Sequence, residues 1–354
     1  MQPQHRVEAD QQMDSRSKKR LITGLQWGLT VLAFWYVARG VSWRETLDLL
    51  AGVDPLILLG VAGITALEFG ARFSQWWVLL NGIGSTPLAT VVRIDLVIKF
   101  VNHIIPSKVS GHSIAPLVVR HYTAIEWADA VTVSGLKTGL YATLYGLVAL
   151  AGLGLFVTRL PGGLAVVILL STAMYAVVGV LVLLAGRRLE LAGTLFAWLE
   201  GVVARVPKIG SRLAGLVGKL PSFTADSAAR FRSLSSRPGI VVPYALGWAG
   251  TLMVFPGARV ALLLTGLGGN FTPLYLLPVA LVMAYSVTVL PLTPGGVGVA
   301  EASATLVFVS LGVSEELAIA VVLVDRVFGV YLPALLGAVP MGDLDLATLL
   351  SSEQ

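Results

Sequence analysis

Two stretches decide what this chain can fold into: Leu140–Phe156 and Leu164–Ala185 contain no charged residue at all. Apolar runs of about 18 residues or more read as helices that cross a bilayer. Across 354 residues 56% are hydrophobic and 13% charged, where a soluble domain carries about 25% charged residues. So little polar surface cannot keep a chain of this size in water. An all-α polytopic integral membrane protein of the cell membrane is predicted, with the bilayer as its solvent.

The net charge of +5 does not point to nucleic acid. The basic residues fall in short blocks between apolar runs, the pattern of positive-inside topology, and no soluble domain is present to carry a basic face. No nucleic-acid partner is expected. The absence of cysteine excludes disulfides, thiolate metal sites and cysteine nucleophiles. The polar tail Met1–Arg20 ends in Lys18-Lys19-Arg20 before the apolar run Leu21–Ala38. That run is longer than a signal-peptide core and no A-x-A-like cleavage site follows it, so it reads as an uncleaved first span.

The second span opens at Asp54-Pro55, a capping residue followed by a first-turn proline, and runs to about Leu80 with Glu68 and Arg72 one turn apart. An irregular apolar region, Val91–Val119, follows, interrupted by Pro106, Gly111 and Pro116. Thr123-x-x-Glu126 reads as a capping box before the run Ala128–Phe156. A turn at Leu160-Pro161-Gly162-Gly163 leads into the span Leu164–Ala185. Residues 186–238 form a basic loop in which Leu191, Leu195, Leu199, Val202 and Val206 recur at helical spacing. They predict amphipathic helices on the membrane face, with a lipid-headgroup sensor as the other reading. Spans at Ile240–Leu267 and Ala318–Val339 enclose a helix opening at Thr272-Pro273 and a Pro-Gly-rich motif. The total is about six full spans. The chain thus divides into a polar tail (1–20), a transmembrane domain (21–340) and a second polar tail (341–354), both tails and the 186–238 loop being cytoplasmic.

Two segments are apolar enough for membrane depth yet too rich in proline and glycine for plain helices: Asn102–His112, with Pro106, Lys108 and Gly111, and Leu290–Glu301, with Pro294, Gly295, Gly296 and Gly298. Broken backbone in a membrane persists only where protein or a wet cavity satisfies its polar groups, and such breaks in corresponding positions mark transporter binding sites. Pro106 aligns on Pro294, and the two breaks are entered from opposite sides, so re-entrant segments of an inverted repeat are expected to meet near mid-bilayer. Two surface loops joining short helices are the plain alternative. Charges in apolar context make the candidate ligand-binding set: Arg72, Lys99, Lys108, Arg120, Lys137, Arg259, Glu301, Asp325 and Arg326. Arg72, Lys108, Arg120, Glu301 and Arg326 are the foremost of these. Cations there suit an anion such as phosphate; Lys99 and Arg120 could equally snorkel, and Asp325-Arg326 could be a structural pair.

The run Pro294-Gly295-Gly296-Val297-Gly298-x-x-Glu301, then Gly312-Val313-Ser314, Arg326, Pro333 and Gly337, resembles the lysylphosphatidylglycerol synthase transmembrane (flippase-like) family. Asn102, Pro106, Lys108, Gly111 and Arg120 are similar to its first-half motif, although His112 and Ser113 stand where family members commonly carry an acidic residue. The resemblance covers about Leu21 to Val339 and includes no synthase or glycosyltransferase domain. It implies a transporter rather than an enzyme, moving an aminoacylated phospholipid or a polyprenyl-linked sugar. The other class is a scaffold or accessory subunit for a separate lipid-modifying enzyme. Membrane lipids are the expected partners, an oligomer is compatible with the sequence, and no cofactor or metal is called for: Gly296-x-Gly298 lacks a βαβ context, and no two histidines lie at i, i+4.

Overall fold

The computed structural model describes residues 52–104, 108–189, 220–290, 292–293 and 296–341, all helical or connecting. The predicted first span Leu21–Ala38, the tails 1–20 and 342–354, Pro106, Pro294, Gly295 and the amphipathic positions 191–206 lie outside the described residues.

Helix α1 (Pro55–Asn81) begins where Asp54 accepts from the Leu56 backbone N–H at 2.8 Å, with Pro55 in the first turn. Its 27 residues extend about 40 Å, more than the roughly 30 Å hydrocarbon core. Its polarity is reversed relative to a soluble helix: Thr65, Glu68, Arg72 and Gln75 are buried, while Leu56, Leu59 and Leu67 are exposed. In a bilayer the tails are as apolar as leucine, so polar groups turn inward to find partners.

Five helices among the described residues are long and apolar enough to cross a membrane: Pro55–Asn81, Trp127–Arg159, Gly162–Arg187, Pro238–Gly266 and Glu315–Pro340. They match the predicted spans other than Leu21–Ala38. Between α1 and α4 (Trp127–Phe156) stand α2 (Leu88–Ile104) and α3 (Lys108–Thr123). This corrects the expectation of an irregular 91–119 region: 91–104 and 108–119 are helical, and Gly111 and Pro116 are inside α3. Proline within a membrane helix is tolerated when neighbouring elements satisfy the freed backbone group. The predicted capping box is also absent. Thr123 is the last residue of α3, its hydroxyl donating to the Val119 carbonyl at 2.6 Å, and Glu126 makes no cap bond but pairs with Arg230.

Helix α5 (Gly162–Arg187) packs tightly on α4. A Cβ added at Gly179 would lie 2.4 Å from the Thr143 backbone nitrogen, and one at Gly146 2.7 Å from that of Ala176. Small residues let two membrane helices approach this closely. Helix α6 (Leu220–Ser235), the described part of the basic loop, docks on the ends of α4 and α5 through Ala228, Phe231 and Leu234.

The fifth span comprises α7 (Pro238–Ala249), a π-turn (Gly250–Val254) and α8 (Phe255–Gly266). It runs antiparallel along α1, with Gly247 against Ala71, Gly266 against Ile57 and Gly82 against Ile240. Helix α9 (Leu277–Tyr285, flanked by 3-10 turns) and α10 (Val299–Ser310) form a second short hairpin. The last span holds α11 (Glu315–Arg326), a π-turn (Val327–Tyr331), α12 (Leu332–Leu336) and α13 (Ala338–Met341). Span, short hairpin, span therefore occurs twice, over 55–159 and 238–340, and the leading spans of the two units are antiparallel.

Candidate functional site

The buried polar groups of α1 meet those of the second unit. Arg72 Nη2 donates to Glu68 Oε1 at 2.7 Å and to the Gly329 carbonyl at 2.9 Å. Gly329 lies in the π-turn of the last span, where the widened ladder leaves carbonyls to side-chain partners. Arg259 of α8, 1% exposed, is held between two acids. Its Nη1 pairs with Glu68 Oε2, its Nε donates to Asp325 Oδ1 at 2.9 Å and its Nη2 to the same oxygen at 2.6 Å. The Tyr285 hydroxyl donates to Asp325 Oδ2 at 3.0 Å.

Arg326, next in sequence, turns the other way. Its Nε donates to Glu301 Oε1 at 2.7 Å, an oxygen that also accepts from the Tyr331 hydroxyl at 2.5 Å. Glu301 Oε2 accepts from the Gly298 backbone N–H at 2.6 Å. This is the reach-back bond of a helix start, and it places the carboxylate in the first turn of α10, where the helix dipole favours it. Gly298 has φ +81° and Gly296 φ +73°, left-handed values that favour glycine at both motif positions. The Arg326 guanidinium also lies over Tyr285 and Tyr331, 5.6 and 5.5 Å from the ring centroids.

The result is one belt running Arg72, Glu68, Arg259, Asp325, Tyr285, Arg326, Glu301, Tyr331. Three guanidinium groups balance three carboxylates. An unpaired charge in such a setting is costly, and pairing with full hydrogen bonding removes most of that cost. Not every donor is used: Arg72 Nε and Nη1 and Arg326 Nη2 have no hydrogen-bond partner, although both residues are 5% exposed. Lys137 of α4 lies over the Trp76 ring, one helical turn beyond Arg72 on α1, with its Nζ 4.6 Å from the centroid.

Of the residues singled out from the sequence, Arg72, Arg259, Glu301, Asp325 and Arg326 are brought together in the belt, Lys137 packs on Trp76 one turn from Arg72, and Lys99 stands on α2. Arg120 is not in the belt: it lies in the last turn of α3, is exposed and stacks over Trp127 at 4.5 Å. Asn102 is half-buried near the end of α2 with its Oδ1 unpartnered, and the Lys108 side chain lies outside the described residues. Sequence reasoning missed the bridging role of Glu68 and passed over Asp95, Tyr285 and Tyr331. The i, i+4 spacing of Glu68 with Arg72, and of Asp95 with Lys99, was the available signal. Among the described residues no cluster of His, Cys, Asp or Glu could hold a metal ion. A cavity of about 490 Å³ lies away from the belt, between the 267–270 and 312–317 loops.

The family model described as the lysylphosphatidylglycerol synthase TM region matches residues 22–337. The chain belongs to that family. The lysylphosphatidylglycerol synthase TM region match encloses the first span–hairpin–span unit, the second as far as Gly337, and every belt residue. The chain is also similar to two UPF0104 membrane proteins. One, from Methanothermobacter thermautotrophicus, is 23% identical over 82% of each chain. The other, from Pyrococcus horikoshii, is 26% identical over 56% of this chain and 57% of its own. With five candidate spans and these relatives, the protein is a multi-pass membrane protein.

Proposed function

We propose that this protein moves an anionic polar-headed lipid across the cell membrane and carries out no covalent chemistry. In this reading the hairpins α2–α3 and α9–α10 are re-entrant and the two units form an inverted repeat. The antiparallel packing of the leading spans supports it. So does hairpin length: the 12 residues of α10 extend only about 18 Å, short of a bilayer core. The headgroup would be that of an aminoacylated phospholipid or a polyprenyl-linked sugar, its tails remaining in the bilayer.

The observation that carries the proposal is the set of unspent guanidinium donors, Arg72 Nε and Nη1 and Arg326 Nη2, within a buried belt whose own charges already balance. These can donate to phosphate oxygens without stripping a carboxylate of its partner. The test is reconstitution into vesicles containing a fluorescent short-chain phosphatidylglycerol, with dithionite bleaching from outside. Wild-type vesicles are expected to lose more signal than the outer leaflet holds, and Arg72→Gln or Arg326→Gln to slow the second phase about tenfold. Bleaching that stops at the outer leaflet, as in protein-free vesicles, would refute transport and favour the scaffold reading.

A further inference from the structure

We infer that the C-terminal end of α6 carries a binding site for a small soluble phosphate, built by Arg230, Ser233 and Arg237. The site stands outside the belt, and neither it nor its test rests on the transport reading. The pattern Arg230-x-x-Ser233-x-x-x-Arg237 puts the three residues on one helical face. The turn is carried past the end of α6, where the Ser236 N–H donates to the Arg232 carbonyl at 3.1 Å and the Arg237 N–H to that of Leu234 at 3.2 Å. All three residues line a cavity of about 200 Å³ between α6 and the end of α1, together with Ile83, Leu234 and Asp129. The cavity is reached from water: Ser233 and Arg237 are exposed, and the Arg230 side chain is 37% exposed. Its side of the protein is the one that the basic 186–238 loop assigns to the cytoplasm.

The donors and the volume set the ligand class. Arg237 Nη2 donates to the Ser233 hydroxyl at 2.9 Å, and among the described residues Arg237 pairs with no carboxylate. Ser233, accepting that bond, keeps its own O–H to donate. Arg230 gives Nη1 to Asp129 and Nη2 to Glu126, whose side chain is 73% exposed. An ion pair as exposed as the second contributes little, so an arriving anion can take Nη2 from Glu126. The charged residues of the lining, Arg230 and Arg237 against Asp129, leave positive charge for an anion to meet. A carboxylate has two oxygens in one plane, whereas a phosphate sets its oxygens at tetrahedral corners, which suits donors arriving from three residues. The cavity holds a phosphate and a few waters at about 30 Å³ each, and falls below the roughly 300–1,000 Å³ of sites for larger organic ligands. Inorganic phosphate or a small soluble phosphomonoester is the class that fits.

The test is phosphorus NMR of inorganic phosphate titrated with the purified full-length protein in a phosphorus-free detergent. Wild-type protein is expected to broaden the signal saturably. Arg237→Gln should weaken the binding about tenfold and Ser233→Ala about threefold, both with unchanged melting because both side chains are exposed. Asp129→Asn removes a negative charge from the lining and is expected to tighten the binding, which loss of a purely structural clasp would not do. No saturable broadening by wild type, or wild-type affinity in both the Arg237→Gln and Ser233→Ala proteins, would overturn the site. Acetate at equal concentration is expected to leave the phosphate bound, and displacement would overturn the phosphate class. Dioctanoyl phosphatidic acid, which carries the same group on a lipid, separates the two sources. It is expected to compete no better than inorganic phosphate, and displacement at a tenth of the phosphate concentration would overturn the soluble assignment.

Discussion

Replacing Glu301 by glutamine tests how much of the last span's position depends on one carboxylate. Glu301 is 5% exposed and accepts three donors: Arg326 Nε at 2.7 Å, the Tyr331 hydroxyl at 2.5 Å and the Gly298 N–H at 2.6 Å. The amide keeps one oxygen for two of these donors. It turns its NH2 toward the third, so a donor meets a donor at the start of α10. Arg326 loses its ion-pair partner while remaining 5% exposed. Breaking one side of a buried pair costs about 3–5 kcal/mol, a large part of the roughly 5–15 kcal/mol that holds a typical domain together. The Glu301→Gln protein is therefore expected to unfold at clearly lower SDS mole fraction in mixed micelles, followed by tryptophan fluorescence. Removing the stranded cation as well, in Glu301→Gln/Arg326→Met, should recover part of the loss, with a coupling of at least about 1 kcal/mol. A single variant within about 0.5 kcal/mol of wild type, or strict additivity in the double variant, would refute the reasoning.

Gly179→Val is expected to separate α4 from α5, because its Cβ would sit 2.4 Å from a backbone nitrogen; loss of the monodisperse peak in detergent chromatography checks it. Arg230, whose side chain is 37% exposed and which pairs with Asp129 and Glu126, is held more firmly protonated by the Asp129 hydrogen bond above all. Solvent screening limits that clasp, so Arg230→Ala should shift stability by no more than about 1 kcal/mol in the same SDS titration. A cysteine at Ser235, in a chain without native cysteine, should be labelled by an impermeant maleimide in inverted vesicles and not in intact cells, as the basic 186–238 loop requires.

The long spans were legible in the sequence because what ends them is local. Asp54-Pro55, Pro161-Gly162 and Pro238-Gly239 each open a helix within two residues of the expected start, and the apolar length between such signals sets the span. Region 91–119 misled for the same reason. Gly111 and Pro116 punctuate a soluble helix, but α3 packs against α2 and α4 and keeps its geometry through both. Thr123-x-x-Glu126 failed because both side chains found other partners, Thr123 in its own helix and Glu126 on α6. The candidate site was half legible. Charge in an apolar context marked Arg72, Arg259, Glu301, Asp325 and Arg326, and the short reach from Glu301 to Arg326 was within sequence reasoning. No local pattern announces that Arg259 meets Glu68, 191 positions away, or that Arg72 reaches a carbonyl 257 positions away.

The two π-turns explain how plain helices can serve both close packing and the belt. One inserted residue turns everything after it by about 100° around the helix axis. Before the Gly250–Val254 turn, α7 lays Gly247 against Ala71 of α1, an approach only a small residue allows. After it, α8 again faces α1, with Gly266 beside Ile57 and Arg259 reaching Glu68 and Thr65. A straight helix crossing α1 drifts off the partner's face over that length, and the inserted residue returns it. The Val327–Tyr331 turn acts on the last span in the same way. Asp325 and Arg326 precede it, Tyr331 ends it, and Gly329 within it gives its carbonyl to Arg72. A Cβ at Gly329 would meet Arg259 Nη2 at 2.6 Å, so the glycine admits two arginines to one turn of backbone. Both π-turns thus stand beside arginines of the belt, and each makes a contact that a regular helix at the same place would lose.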